Sequence, residues 1–452
     1  MAAENNRAIV LDMLMMVERD EVFSHHIIRD VLAKYDYLEN QEKAFIKRLF
    51  EGTLERGIEL DYRINKISSI KASKMKPLIR NLLRMSAYQI LYMDSVPDAA
   101  AVNEAVKLCK KRKFNNLSGF INGVLRKLTI EGHSLPLPEE HKEPVKFLSV
   151  TYSMPDWIVE HFLSQYSYEK TKSLLDGLMK IRPVTIRFSS FLTKEEQEAL
   201  IAAMQNKGVT VRRHTFVKEA YCLENCENIA LLPGFLEGKF TVQDASSMLA
   251  VQAAGIRSGD RVLDICAAPG GKTILAAEYA GTDGHVQARD VSESKAAQIE
   301  ENTKRMRLSN VSIKIWDGVI QDEDAMNWAD VVLADVPCSG LGVMGKKRDI
   351  KYRQKRETLN SIVTLQKDIM RRAASYVKPG GVLLYSTCTI NPAENEEMAR
   401  WISSELGLVP ESVSDYLPPM PHMDTAENGY IQLLPDSHDM DGFFFAKLRK
   451  PD

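Results

Sequence analysis

No stretch of this chain stays apolar for the roughly 20 residues that a membrane-crossing helix needs. Its first residues, MAAENNRAIVLDML, place an acid early and lack the basic-then-apolar order of a secretory leader. A cytoplasmic protein is the expectation. Cysteine is scarce too, with six in 452 residues, so a disulfide-built scaffold is excluded. Cys222 and Cys226 form a lone C-x3-C without a second pair or a nearby His, and no metal site is expected. Net charge is small at −2, yet its sign is uneven. Residues 1–130 hold 22 Lys+Arg against 16 Asp+Glu, a balance of +6 that leaves −8 for the remainder. A basic module on a mildly acidic body suits contact with a polyanion.

What is present is an ordinary globular composition, 44% hydrophobic and 27% charged, long enough for about three domains. Residues 1–132 show helical periodicity throughout. Ile9, Met13, Met16 and Val17 share a face, and further helices are expected over 40–67, 77–93, 98–109 and 117–128. Short links between them imply a bundle. Lys107, Lys110, Lys111, Arg112 and Lys113 cluster before Phe114, as phosphate contacts would. Residues 131–150, rich in Pro, Glu and His, suggest a linker. Then 152–178 has a helical pattern, and strands at 184–189 and 209–216 flank a helix at 193–206. This small, RRM-like α/β module ends near Pro233-Gly234. The expected domains are 1–132, 133–234 and 235–452.

From 235 onward, strand patterns at 261–266, 285–291, 311–316, 330–335 and 382–387 alternate with helices at 272–280, 293–308 and 358–377. That alternation builds a parallel sheet with helices on both faces. YIQLLP and GFFFAKLRK are too close for a helical crossover and should close the sheet as an antiparallel edge. Within this half RVLDICAAPGGKT, residues 261–273, runs from strand through a glycine turn into a helix. A phosphate loop needs a glycine where Cys266 stands, and a dinucleotide loop needs glycines in place of Cys266 and Ala268. Asp264, Asp290, Asp317 and Asp335 end successive strands. Ligands in open α/β sheets bind at those ends. Acids there suit ribose hydroxyls, an adenine amino group and a cationic centre, which describes S-adenosylmethionine.

DVPCSG places Cys338 beyond the fourth strand, and YSTCTINPAEN places Cys388 beyond the fifth. Two thiols facing a methyl donor suit a pyrimidine. Thiolate attack on carbon 6 makes carbon 5 nucleophilic enough to take a methyl group. An acid at the N3 edge stabilises the intermediate and selects cytosine.

DICAAPGGKT, DVPCSGLGV and YSTCTINPAENE resemble the signature motifs of RNA cytosine-5 methyltransferases of the NOL1/NOP2/Sun superfamily. The resemblance implies a class I, Rossmann-like methyltransferase domain with Cys388 as nucleophile and Cys338 assisting product release. It implies cofactor contacts at Cys266, Ala267, Ala268, Pro269, Gly270, Gly271, Lys272, Asp290, Asp317 and Asp335. Lys272 and Asp335 are also implied near the target base. The helical start with SGFINGVLRKL is similar to the NusB-like RNA-binding domain of the Sun/Fmu subgroup, whose substrate is a cytosine of bacterial 16S rRNA. One departure is Arg289 before Asp290, where the family usually has an apolar residue. Lys346, Lys347, Arg348, Lys351, Arg353, Lys355 and Arg356 form a second basic cluster, expected as an RNA clamp. The expected activity is a 16S rRNA (cytosine-C5)-methyltransferase using S-adenosylmethionine, with no metal, no membrane and no required oligomer. The rival readings are the same chemistry on tRNA and a non-catalytic RNA-binding or antitermination factor.

Overall fold

A computed structural model of the chain describes residues 5–20, 22–226 and 228–452. It divides into two compact units. The first takes residues up to Met179 together with Met344–Arg353, and the second takes Lys180–Val343 and Gln354–Asp452.

The first unit is helical, with Asn6–Arg19, Ser24–Lys34, Asn40–Glu55, Gly57–Ile67, Pro77–Tyr92, Asp98–Lys111 and Ser118–Glu131 around one core. The helix expected over 40–67 is broken at Arg56, where φ is −96° and ψ 10°. Gly57 follows, and a Cβ there would lie 2.9 Å from the Tyr352 hydroxyl. Residues 131–150 are less of a linker than expected. Pro144 starts a helix, Pro144–Thr151, that buries Leu148 and Val150. Proline at a first helical turn costs nothing, because the missing N–H would be unpaired there anyway. Asp156–Leu163 and Tyr168–Met179 complete this unit, so the units part about 50 residues after the boundary expected at 132.

The second unit begins with a four-stranded antiparallel sheet. Its strands are β1 Val184–Phe188, β2 Thr210–Arg213, β3 Ala220–Glu224 and β4 Phe240–Val242, in the order β2-β3-β1-β4. Helix Lys194–Asn206 places Met204 in the same core as Ile186, Tyr221 and Phe240. β3 and β4 were not expected. β3 is continuously apolar rather than alternating, and β4 is too short to show a period. The module therefore runs past 234. It leads straight into Ala245–Ala254, a helix capped by Asp244, whose Oδ1 accepts from Ser246 N at 3.1 Å.

The main sheet holds β5 Arg261–Asp264, β6 His285–Asp290, β7 Val311–Ile315, β8 Ala329–Asp335, β9 Val377–Thr387, β10 Val409–Pro410, β11 Tyr430–Leu433 and β12 Phe443–Arg449. Its order is β10-β12-β9-β8-β5-β6-β7, with β11 also paired to β12. β5 to β9 are parallel, and β12 runs antiparallel to β9. This is the expected Rossmann-like layout of five parallel strands and an antiparallel closing pair. Alternate residues feed two cores, Val262, Val331 and Leu384 on one face and Leu263, Val332 and Leu383 on the other. The strand order reverses between β5 and β8, which opens a crevice at their carboxyl ends. Among the described residues, no helix is long and apolar enough to cross a membrane. Among them, no group of three or more His, Cys, Asp or Glu could hold a metal ion.

Candidate active site

The loop after β5 hangs from the end of β6. Ala267 N donates to Arg289 O at 2.9 Å, and Ala268 N to Asp290 Oδ2 at 3.0 Å. Asn302 Nδ2 holds Pro269 O at 3.0 Å. Gly270 takes φ of +105°, a turn that a side chain would resist, and the helix Gly271–Ala280 starts behind it. A helix start leaves N–H groups unpaired, and these favour negative or polar groups. Asp290 also accepts from Val291 N at 2.8 Å and from the half-exposed Lys295 at 2.9 Å. Asp317 lies in the turn two residues past β7 rather than on the strand, and its Oδ1 accepts from Val319 N at 3.1 Å. Cys266 is half-buried, and burial pushes its thiol pKa up. Asp264 is fully buried. Its Oδ2 accepts from the Thr273 hydroxyl at 2.7 Å while Oδ1 has no partner. Burial raises its carboxyl to about 7, against the opposing bond from Thr273. A glycine cradle, an unmet buried carboxylate oxygen and acids at the strand ends suit an adenosine ligand with a cationic centre.

β8 and β9 are parallel neighbours in which Asp335 faces Ser386. Three residues beyond Asp335 stands Cys338, and one beyond Thr387 stands Cys388. The strands thus deliver both thiols to one point, with sulfurs 3.2 Å apart. Cys338 is held well above the ordinary thiol pKa, first by its hydrogen bond with Cys388 and then by burial. Lys272 Nζ donates to Asp335 Oδ2 at 2.6 Å, and the Ser386 hydroxyl to Asp335 Oδ1 at 2.9 Å. Burial lowers the Lys272 pKa, but Asp335, Asp264 and Cys388 together raise it overall. The structure therefore gathers Cys266 to Lys272, Asp335, Cys338 and Cys388 around one crevice.

Residues 251–449 match the family model "16S rRNA methyltransferase RsmB/F", and residues 4–129 match the NusB family. The chain is 32% identical over 446 residues to "Probable ribosomal RNA small subunit methyltransferase B" of Bacillus subtilis, covering 98% of each. It is 30% identical to ribosomal RNA small subunit methyltransferase B of Proteus mirabilis, covering 91% of this chain and 92% of that one. The chain belongs to the RsmB/F family of 16S rRNA methyltransferases. It is an S-adenosylmethionine-dependent methyltransferase with a NusB-like helical start. Among solved structures it is similar to PH0851, with a TM-score of 0.81, 25% identity and 99% of both chains covered.

Sequence reasoning missed the frame behind the RsmB/F thiols. Glu394 is fully buried. It accepts from Ser339 N at 2.8 Å, Gln366 Nε2 at 3.1 Å and Asn391 Nδ2 at 2.9 Å. It thereby ties the Cys338 loop to the Cys388 loop and to helix Arg356–Tyr376. Asn395 accepts from the Thr387 hydroxyl at 2.6 Å and donates to Thr389 O at 3.0 Å. Gly342 packs where a Cβ would come 2.0 Å from Gly442 O. The signal was in the motif INPAEN, where Asn391, Glu394 and Asn395 follow directly on the apolar strand that carries Cys388.

The basic candidates divide. Lys110, Lys111 and Lys113 are exposed at and just past the end of Asp98–Lys111, while Arg112 pairs with Asp12 at 2.6 Å. Lys346 and Lys347 are exposed, but Arg348 is not a free phosphate contact. It lies between Glu51 at 2.6 Å and Glu55 at 3.2 Å. Lys351 is buried and donates to Glu55 O at 2.7 Å, and Arg353 pairs with Asp349 at 2.9 Å. Segment Met344–Arg353 is thus built into the helical unit, and three of the seven residues of the expected clamp, Arg348, Lys351 and Arg353, serve its packing. Charge spacing alone does not distinguish a basic loop that faces solvent from one that meets acids of a distant helix.

Proposed function

We propose that this chain methylates carbon 5 of a cytosine in 16S ribosomal RNA through a covalent adduct between Cys388 and carbon 6. The observation that carries this is the pair of thiols 3.2 Å apart beside the Lys272–Asp335 ion pair. The two sulfurs interact, and the hydrogen bond with Cys388 together with burial holds the Cys338 thiol well above its ordinary pKa. Its S–H bond and the nearby Lys272 ammonium favour the thiolate at Cys388, the form that attacks. Asp335, which accepts from Lys272 and Ser386, is the acid assigned here to the N3 edge and the exocyclic amine of cytosine. Cys266 to Lys272 with Asp290, Asp317 and Asp335 would hold S-adenosylmethionine, which would supply an electrophilic methyl group. After transfer, a base takes the proton from carbon 5, the electron pair restores the C5–C6 double bond, and the carbon 6–sulfur bond breaks so that Cys388 leaves as a thiolate; Cys338, in its thiolate form, is the candidate for that base. Lys110, Lys111, Lys113, Lys346 and Lys347 are the candidates for phosphate contacts from the RNA, and the cytoplasm is the matching compartment. The names of relatives that span nearly the whole chain support 16S rRNA over tRNA.

The test is methyl transfer to unmodified 16S RNA, with the product mapped by bisulfite sequencing. Cys388→Ala is expected to abolish transfer. Cys338→Ala is expected to accumulate a protein–RNA adduct that survives denaturing gels. Full activity of Cys388→Ala would reject the nucleophile, and transfer to a base other than cytosine would reject the reaction.

A further inference from the structure

Arg289 is the departure from the family pattern that the activity leaves unexplained. It is nearly the last residue of β6, directly before Asp290, and its side chain is only 4% exposed. Its guanidinium pairs with Asp322 at 2.7 Å and donates from Nε to Gln287 Oε1 at 2.7 Å. It lies 5.8 Å from the Trp316 ring centre and 5.5 Å from that of Tyr376. Asp322 also takes Lys314 at 2.7 Å, and Lys314 sits 4.1 Å over the Trp316 ring. Burial pushes Asp322 up, but Lys314 and Arg289 outweigh it and keep the carboxylate ionised.

These contacts converge on one short turn, 316–322. Asp322 N donates to the Tyr376 hydroxyl at 2.9 Å, which itself donates to Ile320 O at 3.2 Å. Arg372 Nε holds Val319 O at 3.2 Å. Trp316 N is bonded to Asp290 O at 2.9 Å, and Asp317 opens the turn. Arg289 O meanwhile receives Ala267 N of the cofactor loop at 2.9 Å. One residue therefore joins three parts of the crevice: the glycine loop through its carbonyl, Asp290 through the chain, and the turn of Asp317 through its side chain. Val291 and Ile320 leave apolar surface beside these acids, each 54% exposed, as the faces of a purine would require.

Stability alone does not account for the residue. Arg289 Nη1 is buried without a partner, and a well-packed apolar side chain usually serves a core at least as well as a buried ion pair. We propose that Arg289 is a positioning residue for the adenine end of the cofactor site, holding the turn 316–322 so that Asp317 reaches the adenine amino group. The inference rests on the assignment of Asp290 and Asp317 to the adenosine.

The test uses the full chain and two ligands, S-adenosylhomocysteine and S-inosylhomocysteine, which lacks the amino group. The wild type is expected to prefer the adenine form. Arg289→Leu should bind S-adenosylhomocysteine about tenfold more weakly and lose most of that preference, and Arg289→Lys should recover part of it. Faster hydrogen exchange at the Val319 and Ile320 amides of ligand-free Arg289→Leu is expected alongside. If Arg289→Leu keeps the wild-type preference, whatever its melting temperature, the positioning role is overturned and Arg289 only packs. If Asp290→Asn and Asp317→Ala both bind S-adenosylhomocysteine as the wild type does, the adenosine assignment itself fails, and the proposal with it.

Discussion

Replacing Asp264 by Asn is expected to stabilise the second unit at neutral pH and to flatten its dependence on pH. Asp264 is fully buried with one hydrogen bond, and burial lifts its carboxyl from 3.8 to about 7. A carboxyl whose folded pKa is raised binds its proton more tightly in the folded state. Its contribution to stability is therefore complete below the unfolded pKa and is lost as pH rises through about 7. About three units at about 1.36 kcal/mol each give a loss on the order of 4 kcal/mol. Asn has the same shape, still accepts from Thr273, and carries no charge to bury. The advantage of the variant should then grow by about 3 kcal/mol between about pH 5 and pH 8. Urea unfolding followed by tryptophan emission reads it out, because Trp316, Trp328 and Trp401 lie in the second unit and only Trp157 in the first. Stability curves of the two proteins that run parallel over this range would refute the reasoning. They would mean that Asp264 stays ionised in the fold.

Glu394→Gln places an amide donor against Ser339 N, Gln366 or Asn391, all of which already donate there. A loss of about 2 kcal/mol in stability is expected. Single-turnover transfer should also slow, because the two thiol loops share this anchor; unchanged melting and turnover would show that the loops hold without it. In the helical unit, burial lowers the Lys351 ammonium to about 7. A base depressed in the fold costs stability that returns as pH rises from about 7 toward the ordinary 10.5. Lys351→Met should therefore stabilise the first unit at neutral pH by about 1–3 kcal/mol and remove that rise, monitored at Trp157. Destabilisation at neutral pH with the rise intact would reverse this reading.

The catalytic half was legible because its chemistry is local. A loop, two cysteine motifs and strand-end acids each occupy a few consecutive residues, so their spacing carries the information. The parallel order and the antiparallel close also follow from segment lengths, since a crossover needs room for a helix. Other features were hidden for the opposite reason. β3 and β4 lack a period, and the break at Arg56 and Gly57 is packed against Tyr352, almost 300 residues away. Arg348 and Lys351 look like RNA contacts until Glu51 and Glu55 of another helix meet them.

By itself the sequence determined the fold class, the cofactor and which residues carry the motifs. Each of those rests on chain-local pattern. Only the tertiary structure decided that the sulfurs of Cys338 and Cys388 meet at 3.2 Å, that burial pushes Asp264 to about 7, and that Glu394 and Arg289 are buried among the partners they have. Burial and partner identity set the charge state of a side chain, and both are properties of the packed fold rather than of any stretch of chain.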